Sequence, residues 1–207
     1  KSIKFVSEIK AHIEGNEKFK ALYGDWVNKG NIWKGNEFII KPRTIPKKEP
    51  TIMAGSLERQ SLTGLHFDYC VLDDVVSQAN TNNEHQIEKT IDHYKLLLSV
   101  LDPGGTITTI GTVWGAYSLY SFLTDPEGPE HENTDYFHRA AEDNHGKLLM
   151  PKILSREFLD QQKKTQGSYI YSCQYLNKAD YTQFSFFKEE DIQIYDKPPG
   201  GLIYFMA

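Results

Sequence analysis

The sequence predicts an α/β fold, a largely parallel sheet flanked by helices, and three observations carry that prediction. Residues 67–72 form a short run of aromatic, aliphatic and β-branched side chains that ends in two adjacent carboxylates, Asp73 and Asp74, which is the composition of a buried strand with its acids at the carboxyl end. Residues 106–110 form a second apolar, β-branched run and end in Gly111-Thr112. Between the two, residues 84–101 place Ile87, Ile91, Tyr94 and Leu98 at helical spacing. Two neighbouring parallel strands of this kind present Asp73, Asp74 and Thr112 on one edge, and ligands of open parallel sheets bind at the carboxyl edge.

With 207 residues, the chain accommodates one sizeable domain, or one domain and the start of another. Its 39% hydrophobic and 25% charged residues are those of a soluble globular protein and argue against disorder throughout. No apolar run approaches the roughly 20 residues that a membrane span needs, and the first residues lack the apolar core of a secretory signal, so a cytoplasmic protein with no membrane partner is expected. Cys70 and Cys173 lie far apart, without a Cys or His at metal-ligand spacing. Both read as buried thiols, not as a zinc site or a disulfide. The formal net charge of −5 gives no general electrostatic footprint for nucleic acid, so any DNA contact has to be local. The most basic stretch, K-P-R-T-I-P-K-K at residues 41–48, contains two prolines and reads as a solvated connection between strands.

In chain order, Ile3, Val6, Ile9 and Ile13, then Phe19 and Leu22, recur at helical spacing with a break near Gly15-Asn16, predicting one or two amphipathic helices. The chain opens on Lys1 inside that pattern without an initiator Met, and the expectation is a piece of something longer. Trp26 and Trp33 flank a polar turn, and short strands are expected at 37–40 and 51–54 on either side of the basic loop. A glycine-bounded polar loop, 55–64, leads into the acid-tipped strand. Asp102-Pro103-Gly104-Gly105 ends the helix of residues 84–101 before the second strand. A short helix is expected at 116–123, strands at 136–141 and 147–150 around a turn at 143–146, a helix capped by Ser155 with Phe158 and Leu159 on its apolar side, and after Gly167 a helical segment at 169–176. The remainder turns acidic at 188–191, passes through Pro198-Pro199-Gly200-Gly201 and closes on an apolar run, 202–207, that looks like the first strand of another unit.

An apolar strand tipped by two acids is the form of a Walker B strand, in which one acid holds Mg²⁺ and the next handles the attacking water. A strand leaving the sheet through a solvated acidic turn has the same local sequence. The wider pattern narrows the choice. Gly55-Ser56 and Gly64 lead into His66, Asp68 and C-V-L-D-D-V-V; then come T-T-I-G-T-V-W, L-L-M-P-x-I-L-S, and Y-S-C-Q-Y-L-N-K-A-D with Phe184 and Phe187 behind it. In this order and spacing the chain resembles the large terminase subunit of tailed bacteriophages over most of its length.

The resemblance implies a P-loop NTPase fold (ASCE/RecA-like) for residues 1–187, lacking its N-terminal P-loop portion. It further implies a linker at 188–201 and the first strand of a ribonuclease H-like nuclease domain at 202–207. It implies an ATPase that uses ATP and Mg²⁺ to move double-stranded DNA into a procapsid, with endonuclease activity in the full-length protein. Its partners would be the portal and procapsid and a small terminase subunit, in a homo-oligomeric ring in the host cell cytoplasm. By resemblance Asp73 is the Mg²⁺ acid, and Asp74 stands where most relatives carry a catalytic Glu, although some also use Asp-Asp. Gly111 and Thr112 match the motif that senses the γ-phosphate and couples hydrolysis to movement. Arg59 is the candidate charge-stabilising finger, since a guanidinium suits phosphate geometry; an ordinary surface arginine has the same sequence signature. Asp68 and His66 read as structural.

The pattern G-x-x-x-x-G-K-[ST] occurs nowhere in the 207 residues, so the phosphate cradle is expected upstream of Lys1 and the first nuclease Asp beyond residue 207. On these grounds the chain alone is expected to be inactive. Two other classes share part of the pattern. A superfamily helicase carries the acid-tipped strand and a Ser/Gly-Thr motif but continues into a second RecA-like domain, whereas a non-catalytic interaction protein uses Asp73 and Asp74 only as a solvated turn.

Overall fold

The computed structural model describes residues 2–56, 62 and 64–179. Arg59, Phe184, Phe187, the linker expected at 188–201 and the strand expected at 202–207 lie outside the described residues. The chain is a mixed α/β protein with a small parallel sheet flanked by helices. It forms two compact units, one from Lys1–Thr112 with Tyr117–Thr134, the other from Val113–Ala116 with the described part of Asp135–Ala207.

In the first unit, α1 (Ser2–Gly15) and α2 (Glu17–Tyr23) break where the glycine and asparagine predict. Asn16 adopts an extended backbone, and its side chain accepts a hydrogen bond from the Phe19 N–H at 3.1 Å, capping α2. Val6 and Ile13 of α1 are buried with Phe38, and Phe19, Trp26, Trp33 and Ile52 pack around them. Phe38 belongs to β1 (Glu37–Phe38), which pairs antiparallel with β2 (Ile52–Met53). Both strands are shorter than expected because the backbone leaves the ladder at once: the Ile39 N–H donates to the Ile32 carbonyl and the Ile40 N–H to the Thr51 hydroxyl.

The strands that carry the motifs, β3 (Phe67–Asp73) and β4 (Leu101–Ile110), pair in parallel, and Asp73 faces Ile110. Between them α3 (Glu84–Leu98) forms the crossover, its N-terminus capped by Asn83, which accepts from the Gln86 N–H at 2.9 Å. The helix ends before residue 101. Ser99 turns its hydroxyl back onto the Leu96 carbonyl at 2.7 Å, and the Val100 carbonyl already accepts from the Phe67 N–H at 2.9 Å.

The Asp-Pro-Gly-Gly turn, expected to precede the second strand, lies inside β4 as a bulge: Phe67 faces Leu101, yet Tyr69 faces Thr106. Glycine makes this possible. Gly104 has φ 82°, and a Cβ on Gly105 would come within 2.9 Å of the Asp102 carbonyl and 3.0 Å of the Asp68 carbonyl, approaches that no larger residue tolerates.

The helix expected at 116–123 is α4 (Leu119–Thr124). It starts later because Ser118 is a buried N-cap: its hydroxyl accepts from the Tyr120 N–H at 3.2 Å while its own N–H donates to the Ser121 hydroxyl at 2.8 Å. Leu119 and Leu123 are buried, and α3 meets α4 through an edge-on contact between Tyr94 and Phe122 at 6.5 Å.

The second unit is built on α5 (Arg156–Gln166), α6 (Ser168–Tyr171) and a π-helical turn, Ser172–Leu176. Ser155 caps α5 as predicted, accepting from the Phe158 N–H at 3.2 Å. Leu159 is fully buried among Ala141, Tyr171, Leu148, Leu154 and Tyr175, whereas Phe158 is 40% exposed, so the apolar side of α5 is narrower than expected.

The strands expected at 136–141 and 147–150 do not form; the two segments share one isolated bridge, Glu142 to Leu148. Their turn is tight, because the Asp143 carboxylate accepts from the His145 and Lys147 N–H groups, each at 2.9 Å. The ladder stops there because the chain is committed elsewhere. The Ala141 N–H donates to the Tyr175 carbonyl at 2.7 Å, and the His138 ring bonds the Asn177 carbonyl at 3.1 Å.

Candidate functional site

Parallel pairing of β3 with β4 places Asp73 and Asp74 beside Gly111 and Thr112 at the carboxyl edge of the sheet. The contact is direct. The Asp74 N–H donates to the Ile110 carbonyl at 2.8 Å, extending the ladder one residue past β3, and a Cβ on Gly111 would lie 3.5 Å from the Asp74 Cα. Asp74 has φ 51°, a left-handed conformation uncommon for a residue with a Cβ, tolerated best by Asn and Asp. The chain therefore turns sharply as soon as the strand ends. Leu72 and Val76, on either side of the acids, are buried, while both acids and Thr112 are half-buried.

Tyr120 completes this edge. Its hydroxyl lies over Gly111 so closely that a Cβ there would collide with it, and it reaches the Ile110 carbonyl at 3.5 Å. Burial, with the negative charges of Asp74 and Asp73 adding to it, pushes the phenol up to about 12, although the Val76 N–H pulls the other way. It therefore stays protonated, a hydrogen-bond donor next to two acids.

Other residues singled out in the sequence sit apart from this edge. Asp68 is near the start of β3, five residues or about 16 Å from Asp73. It is exposed, with Lys47 at 3.9 Å. The His66 N–H donates to the buried carboxylate of Glu49 at 3.2 Å, a structural role as expected. The basic loop is tied down around the same end of the sheet: Lys47 pairs with Asp102 at 3.0 Å, Lys48 bonds the Gly64 carbonyl, and the Arg43 guanidinium donates to the Glu49 carbonyl at 2.5 Å. Arg59, the expected finger, lies outside the described residues.

Neither a family model, nor a curated protein, nor a solved structure matches this chain.

The chemistry available at the edge is therefore read from the residues themselves. Among the described residues no three His, Cys, Asp or Glu side chains gather to hold a metal ion. A single half-buried carboxylate such as Asp73 fits instead the protein's share of an Mg²⁺ site, since Mg²⁺ keeps waters and takes one or two carboxylates together with substrate phosphates. The Thr112 hydroxyl, without a hydrogen-bond partner among the described residues, is a second polar group at the same edge. The pattern G-x-x-x-x-G-K-[ST], whose loop cradles phosphates, does not occur in the 207 residues.

Sequence reasoning missed Tyr120. Tyr117 and Tyr120 are equivalent in composition in the string Y-S-L-Y, yet Tyr117 is 80% exposed and Tyr120 lies over Gly111. The usable signal was Ser118, whose cap fixes where α4 starts and hence which tyrosine leaves its first turn. Asn177 was also missed. In the second unit its side chain accepts from the Val113 N–H at 3.0 Å and donates to the Arg139 carbonyl at 3.2 Å, and it adopts φ 57° to end the π-helical turn.

Proposed function

We propose that this chain carries the metal-acid and coupling strands of a P-loop-type ATPase, the engine of a terminase large subunit that drives double-stranded DNA into a procapsid. The observation that carries this reading is the parallel pairing of β3 with β4, which brings Asp73, Asp74, Gly111 and Thr112 to one carboxyl edge. A second feature supports it. Tyr69 and Val71 of β3 are 57% and 52% exposed, whereas parallel sheets are covered on both faces, so this sheet suits a larger domain that buries them.

In this reading Asp73 holds Mg²⁺, which neutralises charge on the phosphates when bound. Asp74 orients the attacking water and takes its proton. The side chain is one methylene shorter than Glu, and the left-handed turn at Asp74 together with its backbone bond to Ile110 fixes where that shorter carboxylate starts. Thr112 offers its hydroxyl to the terminal phosphate and, through Gly111 and β4, reports its loss. A phosphate-binding loop has to come from another stretch of polypeptide. The partners are then the portal and procapsid, the small terminase subunit and further copies of the motor in a ring.

The test uses the intact gene product. Asp74→Asn keeps nucleotide binding and lowers turnover by about a hundredfold or more, the usual contribution of a general base, while Asp73→Ala abolishes the Mg²⁺ dependence of binding. Hydrolysis at the parental rate in Asp74→Asn would remove the assignment and leave the two acids as a solvated turn of an interaction protein.

A further inference from the structure

The second unit holds an open cleft of about 780 Å³, a size typical of ligand sites. Its lining comes from three stretches, 138–142, 143–149 and 176–178. Hydrogen bonds fix these walls relative to one another. The Asn177 side chain donates to the Arg139 carbonyl at 3.2 Å, and the Leu149 N–H donates to the Ala141 carbonyl at 2.8 Å. Lys178 is held through its backbone, its N–H donating to the Ser172 carbonyl at 3.1 Å and its carbonyl accepting from the Ser172 hydroxyl at 2.8 Å.

The charges in this lining are unequally engaged. Glu142 pairs with Arg156 at 2.5 Å and accepts from the Tyr171 hydroxyl at 3.3 Å. Asp143 accepts from the His145 and Lys147 N–H groups, each at 2.9 Å. Arg139, Lys147 and Lys178, by contrast, form no ion pair among the described residues. Arg139 donates to the His138 carbonyl at 3.0 Å and Lys178 to the Asn144 side-chain oxygen at 3.4 Å, both neutral acceptors. Residues 135–179 carry seven Lys and Arg against five Asp and Glu, whereas the whole chain has a formal net charge of −5. Positive charge is thus local here, as a nucleic-acid contact on an acidic protein requires.

Aromatic rings adjoin these cations in the run Tyr136-Phe137-His138-Arg139. The Arg139 guanidinium lies over the Phe137 ring, 4.4 Å from its centroid, and the ring of His138, a lining residue, lies 6.1 Å from that of Tyr136 at an interplanar angle of 32°. Phe137 is nevertheless 77% exposed and Tyr136 62%. Exposed rings beside a basic groove are surfaces on which bases stack. Leu148, Leu149 and Leu176 add an apolar wall to the cleft.

We propose that the second unit binds single-stranded nucleic acid at this cleft, with backbone phosphates at Arg139, Lys147 and Lys178 and unstacked bases against Phe137 and Tyr136. The rings favour a single strand over a duplex, whose bases already stack on one another and offer no free face. An acidic peptide would use the cations and leave the rings without a flat partner. The proposal goes beyond the ATPase reading and does not depend on it, since none of these residues belongs to the sheet edge.

The test is binding of a fluorescent oligothymidylate of about 12 nucleotides to this chain, followed by anisotropy from about 50 to 200 mM NaCl. Binding is expected to be about tenfold tighter than to a duplex of the same length. Three phosphate contacts at about 0.7 each give a log–log salt slope of about −2. Phe137→Ala should weaken binding about tenfold with little change in slope, the loss of one stacked base. Lys147→Gln combined with Lys178→Gln should lower the slope by about 1.4, while Lys152→Gln, outside the cleft, should leave it unchanged. Circular dichroism should stay parental in all of these, because the substituted side chains are exposed. No binding at the lowest salt, a duplex bound as tightly as the single strand, or parental affinity in Phe137→Ala would each overturn the proposal. Tighter binding of polyglutamate than of the oligonucleotide would overturn it in favour of an acidic peptide. The assay contains no ATP, so its failure would leave the ATPase reading standing, and a parent protein without ATPase activity would leave this result standing.

Discussion

Substituting alanine for Gly111 tests the geometry of the edge without reference to its function. The backbone there is one that an L-residue adopts, because φ falls outside the left-handed range. Alanine would therefore gain about 0.4–1 kcal/mol from the lower entropy of the unfolded chain if the site were open. It is not open. The new Cβ would collide with the Tyr120 hydroxyl and sit 3.1 Å from its Cζ, with the Asp74 Cα at 3.5 Å. The last is an ordinary contact, so the clash is with the phenol alone, and since the Ser118 cap and two buried leucines hold α4 in place, relief requires the Tyr120 side chain itself to turn out of its position.

Overpacking of this kind costs about 1–3 kcal/mol, so the net loss is about 1–2 kcal/mol after the entropic gain. For a chain of this size that lowers the melting temperature by roughly 2–8 °C. In a Tyr120→Leu background the obstructing atoms are gone, and the same Gly111→Ala change should be neutral or slightly stabilising. Urea and thermal unfolding of the parent, both single variants and the double variant give a cycle with an expected coupling of about 1–2 kcal/mol. Additive effects would refute the contact between Gly111 and the phenol, and with it the account of why a glycine stands at this strand end.

Three further outcomes are expected. Thr112→Val keeps the side-chain shape and removes the hydroxyl, so under the function proposed above DNA packaging should fall more than ATP hydrolysis does; normal packaging in a bulk assay would show that the hydroxyl senses nothing. The 207-residue chain by itself should give no heat of binding with Mg-ATP in calorimetry, because two acids and a hydroxyl do not replace a phosphate cradle; clear binding would mean that another loop of this chain holds phosphates. The Glu49 carboxyl is held below its ordinary value by its own backbone N–H and by that of His66. Its folded pKa is depressed, so its contribution to stability is full above the unfolded value near 4.5 and is lost as pH falls through the folded value. The stability gap between the parent and Glu49→Gln in urea titrations should accordingly close below about pH 4, and a gap constant from pH 7 to 3 would contradict this.

Local signals decided much of this protein before any tertiary contact was considered. The caps Asn16, Asn83 and Ser155 act on the next two or three residues, so helix starts at 17, 84 and 156 were legible or nearly so. Apolar, β-branched composition marked β3 and β4, and their order around one helix implied parallel pairing with both motifs on one edge. The same local reasoning failed where a competing partner lay far along the chain. The segments 136–141 and 147–150 have strand composition, but the Ala141 N–H is claimed by the Tyr175 carbonyl, and a ladder cannot continue through a backbone group already engaged.

What only the tertiary structure decided is the register and the company of the acids. Composition says that Asp-Pro-Gly-Gly is a turn; whether it precedes a strand or bulges within one depends on Val100 and Leu101 finding Phe67 across the sheet. Likewise, Ser118 in Y-S-L-Y marks where a helix can start, but the string does not say that the tyrosine of its first turn ends over Gly111. One is exposed and the other lies over Gly111 because Ser118 begins a helix whose two leucines are buried. Propensity and capping are properties of a few consecutive residues and are written in the string. The meeting of Asp74, Gly111 and Tyr120 is a property of chain closure over dozens of residues, where packing selects one of several locally equal choices.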